Sequence, residues 1–125
     1  MQPSGITVDF LEAFADAFNR HDVTAILAAM TEDCVFEASG GPEVCGRRYE
    51  GSREVGKAFA EVFETFPDAQ WRGARHFFVG DRGVSEWTFS GTRADGTRVE
   101  VTGCDIFTFR DGKIAVKNSY RKQRM

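Results

Sequence analysis

Apolar residues recur at helical spacing in three segments of the chain. Residues 8–19 and 23–30 each carry such a stripe, and Asp22 stands where an N-cap would begin the second helix. A third helix is predicted to begin at Ser52 and to end before Pro67, because proline cannot continue a helix. The first half of the chain therefore predicts three amphipathic helices.

The second half alternates between apolar and polar residues, as strands do. Residues 34–38 predict a short strand, and residues 70–79, 84–92, 98–109 and 113–120 predict four longer ones separated by tight Gly- and Asp-containing turns. We expect a four-stranded antiparallel meander with the helices on one face. This is an α+β architecture, predicted to form a single domain over residues 1–125.

Asp105 interrupts the apolar face of the strand at residues 98–109. Side chains alternate in a strand, so Asp105 shares its face with Val99, Val101, Phe107 and Phe109. A carboxyl group placed there costs several kcal/mol unless it is paired, hydrogen-bonded or protonated. Two interpretations follow: a structural aspartate satisfied by backbone donors or a buried cation, or an acid that faces a ligand.

Turn lengths predict which side chains lie near Asp105. A two-residue loop at Asp81 and Arg82 pairs His76 with Trp87, and a three-residue loop at residues 94–96 pairs Ser85 with Asp105. These side chains then converge on a concave surface of the kind that binds small molecules. Its predicted lining also includes Tyr49 at the mouth and the rings of Phe14, Phe18, Phe89 and Phe107.

The register of the last strand stays open between two alternatives. A two-residue loop at Asp111 and Gly112 places Asn118 beside Asp105 and turns Ile114, Val116 and Tyr120 inward. A three-residue loop that includes Arg110 places Lys117 there instead and turns Ser119 and Arg121 inward. The hydrophobic pattern favours the first alternative.

Composition narrows the classes of partner. The net charge of −3 argues against nucleic acid or an anionic membrane as the main partner, and the basic cluster at residues 121–124 is interpreted as a solvated tail. Neither a signal peptide nor a membrane span is expected, and three unpaired cysteines suit reduced thiols, so the predicted location is the cytoplasm. His21 and His76 share no ligand spacing, so we expect no metal and no cofactor.

The order of elements and several short motifs resemble a known superfamily. The motifs are Phe18-Asn19-Arg20-His21-Asp22, Val79-Gly80-Asp81-Arg82, residues 86–92, Gly103-Cys104-Asp105-Ile106-Phe107 and Asp111-Gly112-Lys113-Ile114. Together they resemble the nuclear transport factor 2 (NTF2)-like superfamily, in its SnoaL-like, ketosteroid-isomerase-like branch. The resemblance implies a cone, also described as a cystatin-like α+β barrel, in which a strongly curved sheet and three helices enclose a pocket. It also implies a homodimer formed through the outer sheet face.

The resemblance implies roles for individual residues. A ketosteroid isomerase carries its general-base aspartate where this chain has Ala38, beside Glu37, and its tyrosine donor where this chain has Phe14. Only its protonated aspartic acid has a counterpart, Asp105, so the standard isomerase mechanism is not expected. Polyketide cyclases of the branch use an aspartate and a histidine, which suggests Asp105 with His76 as the catalytic pair. The family pattern also turns the lysine of the last strand, Lys117, inward.

Three functions remain open. The first is a cofactor-free isomerase, cyclase, dehydratase or hydrolase acting on a small hydrophobic molecule, with Asp105 as acid, base or oxyanion donor. The second is a protein that only binds such a molecule, and the third is a dimerisation module. An ion pair between Asp105 and Lys117 would favour binding, whereas an isolated Asp105 near His76 would favour catalysis.

Overall fold

The first two helices begin at side-chain caps, whereas the third begins after Gly51 without one. The computed structural model describes residues 5–125 and contains α1 (Val8–Asn19), α2 (Val23–Ala28) and α3 (Ser52–Thr65). The Asp22 carboxylate accepts a hydrogen bond from the backbone N–H of Ala25, as predicted for an N-cap. The second helix is shorter than predicted, because the Ala29 carbonyl accepts from the Ile114 N–H and draws the chain into the sheet.

Six strands form one open, curved sheet. They are β1 (Met30–Glu37), β2 (Arg48–Glu50), β3 (Gln70–Val79), β4 (Arg82–Thr92), β5 (Arg98–Arg110) and β6 (Lys113–Arg121). Their order is β2-β1-β6-β5-β4-β3, and every pair is antiparallel except β1 with β6. The predicted α+β class and the antiparallel meander are confirmed. Strand β2 was not predicted, and the sheet is not closed into a barrel.

An aromatic core fills the space between the helices and the inner sheet face. Phe18 of α1 makes edge-to-face contacts with Phe59 of α3 and with Trp71 of β3, at centroid distances of 4.9 and 5.3 Å. Phe89 and Phe107 are also buried there. Edge-to-face pairs contribute about 0.5–1.5 kcal/mol beyond their burial, so these rings fix how the helices sit on the sheet.

The β3–β4 register differs from the prediction by two residues. His76 lies opposite Ser85 rather than Trp87, because the turn consists of Gly80 and Asp81. Gly80 adopts φ +58°, a left-handed conformation that favours glycine. A shift of two residues preserves the face, so His76 still points inward. The predicted pairing of Ser85 with Asp105 in β4 and β5 is confirmed.

Neither predicted register of β6 is correct. Asp105 lies opposite Ser119, since a shift between Thr108 and Phe109 leaves Ala115 as an extra residue in β6. The two-residue turn is present, but this bulge reverses the faces of the residues that follow it. Lys117, Ser119 and Arg121 therefore share the inner face with Asp105, and the expectation that Asn118 lies beside Asp105 is wrong. Tyr120, predicted to point inward, is 51% exposed.

Two further features bear on the sequence expectations. The three cysteines are free thiols, with Cys34 buried, Cys45 exposed and Cys104 between these extremes. Across residues 5–125, none of the helices has the length and apolar character that a membrane crossing requires.

Candidate functional site

A row of polar side chains crosses the inner face of the sheet. His76 lies opposite Ser85, Ser85 opposite Asp105, and Asp105 opposite Ser119, so the row spans β3, β4, β5 and β6. Cross-strand neighbours of this kind stand within contact distance. The antiparallel register thus assembles four residues that are far apart in sequence into one polar line within an apolar face.

Three side chains surround the carboxylate of Asp105. Trp87 Nε1 donates to Oδ2 at 3.0 Å, while Lys117 Nζ donates to Oδ1 at 2.9 Å. The Ser119 hydroxyl also donates to Oδ1. Asp105 is only 5% exposed, so these donors replace the water that it loses on folding. The carboxylate is therefore fully engaged by the protein itself.

Lys117 is the cation of this site and is equally buried, at 5% exposure. Its ammonium group lies 4.8 Å from the ring centroid of Phe18 and 5.0 Å from that of Phe36, within the range of cation–π attraction. It also donates to Ser119 Oγ at 2.9 Å. Burial lowers the pKa of Lys117 below its ordinary value, and the neighbouring Asp105 opposes this effect only in part.

A cavity of about 250 Å³ opens beside Lys117, between α3 and the end of β1. The exposed residues of its lining, Ser39, Glu61 and Thr65, mark its mouth. Its inner walls are mainly aromatic: Phe18, Phe36, Tyr49, Phe59, Phe66, Trp71 and Trp87. A larger groove of about 520 Å³ lies over Glu86, Cys104 and Tyr120, but it lies on the opposite sheet face from Asp105 and Lys117.

A second, much smaller void lies deeper in the core. It measures about 20 Å³, enough for roughly one water molecule, and it adjoins Asp105 and Ser85. Four side chains line both volumes and separate them: Phe18, Trp71, Trp87 and Lys117. Asp105 thus lies behind Lys117 as seen from the cavity, and Lys117 is the charged group of the pair that faces the cavity.

The predicted site residues separate into groups. Four of the predicted residues line the 250 Å³ cavity: Phe18, Tyr49, Trp87 and Lys117. Three others line only the small void: Phe14, Phe107 and Asp105. Phe89 is fully buried behind Trp71, at 5.1 Å between ring centroids, and lines neither volume. Asn118 lies on the outer face, where it donates to the Tyr120 hydroxyl.

His76 is not in contact with Asp105. Its Nδ1 is 2.6 Å from Ser85 Oγ, and it lines neither the cavity nor the small void. Partial burial lowers the pKa of His76, while Glu12 opposes this weakly. Of the two arrangements that the sequence left open, the structure contains the ion pair between Asp105 and Lys117.

Several lining residues escaped the sequence prediction. Phe36, Phe59 and Trp71 were assigned to elements but not to a pocket, although strand alternation places Trp71 on the inner face. Arg121 was assigned to a solvated tail, which is wrong: it is the last residue of β6 and lines the cavity. The alternative with a three-residue loop did turn Arg121 inward; in the structure the Ala115 bulge does so instead, and nothing in the sequence marks that bulge.

The positions that correspond to isomerase catalytic groups hold other contacts. Phe14 packs on Phe107 at 5.8 Å between centroids, and Ala38 lines the cavity mouth without a polar group. The Glu37 carboxylate is bound by Arg48 at 2.7 Å. Within the described part of the chain, no group of three or more His, Cys, Asp or Glu side chains could hold a metal ion.

Comparison with known proteins agrees with this architecture. A proposed polyketide cyclase from Xanthomonas campestris pv. campestris superimposes with a TM-score of 0.81 at 24% identity, over 92% of this chain and 89% of that one. An NTF2-like protein of unknown function from Burkholderia pseudomallei gives 0.78 at 19% identity, over 97% and 92%. TerC, co-crystallised with polyporic acid, gives 0.76 at 22% identity, over 92% and 90%.

Sequence comparison gives the family. No curated protein matches the chain significantly. The family model described as a SnoaL-like domain, however, matches residues 11–117, which is most of the chain. Together with the curved sheet and the NTF2-like structural relatives, this match shows that the protein belongs to the SnoaL-like domain family.

Proposed function

We propose that this protein binds a small, mainly apolar molecule in the 250 Å³ cavity, with an oxygen atom of that molecule bound by Lys117. The observation that carries the proposal is the placement of a buried ammonium group on an aromatic cavity wall. Lys117 uses two of its three N–H donors on Asp105 and Ser119, which leaves one for a ligand.

The size and lining of the cavity support a flat, compact ligand. Ligand sites typically measure ~300–1,000 Å³, so this cavity suits a molecule of one or two rings. Its walls are largely aromatic, and such walls favour stacking or edge contacts with a ring. TerC, which has a similar fold, was co-crystallised with polyporic acid, and this supports binding of a small molecule by this fold.

Calorimetric titration with 2-naphthol tests the proposal. The wild-type protein is expected to bind this probe, and Ser39→Trp at the mouth is expected to block binding by occupying the entrance. Thr24→Trp, on the exposed face of α2, is a matched control that should leave binding unchanged. Equal binding by all three proteins would place the probe elsewhere and contradict the proposal.

A second candidate is catalysis of proton transfer, and the lowered pKa of Lys117 favours it. A lysine whose pKa moves toward neutrality can donate and recover a proton more readily than an exposed one. In this mechanism the neutral amine of Lys117 takes a proton from the carbon next to a ligand carbonyl. The ammonium group so formed stabilises the enolate oxygen and then returns the proton to carbon, while Asp105 holds Lys117 in place. Asp105 then acts through Lys117, and no cofactor takes part. Isomerisation, aldol cyclisation and dehydration next to a carbonyl group can each use such an enolate.

Exchange of the α-protons of 2-tetralone in D₂O, followed by proton NMR, tests this second candidate. Catalysis predicts that the wild-type protein accelerates exchange and that Lys117→Arg, which cannot lose its proton, reduces the rate. Lys113→Arg is the exposed control on the same strand. If 2-tetralone binds but exchanges no faster than in buffer, the protein is a binding protein for this class of ketone rather than a catalyst.

We also propose that two copies associate through the outer sheet face. Phe77 of β3 is 54% exposed on that face, and Tyr120 of β6 is exposed there as well. Exposed rings on a broad strand surface favour burial against a partner. Self-association would leave the inner face free, so the two proposals do not compete for the same residues.

A further inference from the structure

Arg121 is a partly buried arginine in the lining of the cavity. It is the last residue of β6, and its guanidinium carbon lies 3.9 Å from the ring centroid of Phe89, a stacking distance. Its side chain lines the cavity together with Lys117. Burial lowers the pKa of Arg121, as expected for a cation that has lost much of its water.

This guanidinium forms no direct ion pair, and the carboxylate that attracts it, Asp105, already binds Lys117. Across residues 5–125, no carboxylate lies within ion-pair distance of Arg121, and its buried Nε makes no hydrogen bond. An unsatisfied buried donor destabilises the folded protein, and does so more strongly when the group is charged. By contrast, four arginines of other strands, Arg48, Arg75, Arg98 and Arg110, each form an ion pair with a carboxylate.

The charges around the cavity do not balance. Asp105 neutralises Lys117 within 2.9 Å, so Arg121 remains as the excess positive charge. Arg93, stacked on Phe66 at 5.0 Å, adds a second cation nearby. The remaining carboxylate of the lining, Glu61, is exposed at the mouth, where water screens it. The inner part of the cavity is thus apolar in its walls and positive in its net charge.

We propose that the natural ligand is an organic anion: a flat apolar body carrying a carboxylate or a comparably acidic oxygen that is bound by Arg121. This inference rests on the proposed binding function and specifies its ligand class. A guanidinium presents parallel N–H donors that match a carboxylate. The aromatic walls would hold the ring system, and the anion would satisfy the donors that the protein leaves unpaired.

A matched pair of probes tests the proposal by calorimetry at neutral pH and low ionic strength. 2-Naphthoate and 2-naphthamide have nearly the same shape, but only the first is charged. A charge-assisted bond contributes about 1.5–3 kcal/mol, so the wild-type protein should bind naphthoate roughly 10- to 100-fold more tightly. Arg121→Gln should reduce this preference, measured as the ratio of the two affinities within the variant, to about twofold or less.

Two further variants separate charge from folding. Arg121→Lys should retain part of the preference for naphthoate because it retains the positive charge. Arg82→Gln removes one exposed cation from the far end of β4 and should retain the full preference. The anion proposal is wrong if naphthamide binds and the wild-type protein shows no preference for naphthoate, or if that preference survives in Arg121→Gln. In either case the binding function stands. If neither probe binds the wild-type protein, the binding function itself fails.

Discussion

At the residue scale, the candidate site is built around the carboxylate of Asp105, which is buried beside the ammonium group of Lys117. Asp105 stood out because strand alternation places it on an apolar face, and the structure buries it there. What the sequence could not decide was the partner, since Lys117 reaches Asp105 diagonally from the neighbouring strand β6. A partner on another strand depends on register, and register is not a local property. His76 reaches Ser85 instead of Asp105 for the same reason.

Lys117→Met is expected to lower the free energy of unfolding by about 3–5 kcal/mol, because it leaves the Asp105 carboxylate buried without its cation. Adding Asp105→Asn should restore most of that loss, since the pair is then neutral. Urea denaturation measures both, with Lys113→Met as the exposed control, expected within about 0.5 kcal/mol of wild type. If Lys117→Met alone lowers the free energy of unfolding only slightly while the double variant lowers it strongly, the two residues do not act as a unit.

His76 predicts a pH dependence of stability. Its pKa is lowered in the folded state, so the unfolded chain binds more protons as the pH falls through about 6.5. The free energy of unfolding should therefore decrease as the pH drops through this region. Chemical denaturation at a series of pH values should give a shallower decrease for His76→Gln than for wild type. Identical slopes would mean that His76 titrates normally in the folded protein.

At the element scale, local signals were sufficient and long-range signals were not. The start of α2 followed from the Asp22 cap and the end of α3 from Pro67, and the β4–β5 register followed from one turn. The β6 bulge at Ala115 has no such signal, because alanine suits either strand face. That single extra residue decides whether Lys117, Ser119 and Arg121 face the cavity or the outer surface.

Gly103 of β5 permits a close approach that shapes the site. A Cβ atom at this position would lie 2.2 Å from the Tyr120 carbonyl oxygen and 2.7 Å from the Trp87 ring. Gly103→Ala should therefore displace the indole that donates to Asp105 and cost about 1–3 kcal/mol. Thermal or urea unfolding checks this value, and tryptophan emission should shift with it. Gly40→Ala, whose added methyl group meets no atom within 4 Å, should leave both readouts unchanged.

At the scale of the whole molecule, the order of elements was sufficient to predict the fold. Three helices followed by a meander leave one face of the sheet to cover, and the helices cover it. The volume of the cavity could not be predicted in this way, because it depends on how bulky side chains of α1, α3 and five strands meet. The short strand β2, which brings Tyr49 to the mouth, was missed for lack of an alternating pattern in three residues.

Self-association is the prediction that belongs to this scale. Light scattering after gel filtration should give twice the protomer mass for wild type. Phe77→Glu should give the protomer mass, because it places a charge in the proposed apolar contact. Val44→Glu adds the same charge at an exposed loop position away from the sheet and should leave the dimer intact. If the wild-type protein elutes with the mass of one protomer, the proposal that two copies associate through the outer sheet face is wrong.

One consequence of the cavity lining is practical. The chain has two tryptophans, Trp71 and Trp87, and both contribute to the cavity wall. Ultraviolet emission of the unlabelled protein therefore comes from the two side chains that an incoming molecule would touch. A library of compounds can be screened by quenching or spectral displacement alone, without dye, tag or assay chemistry, and the protein would report its own occupancy.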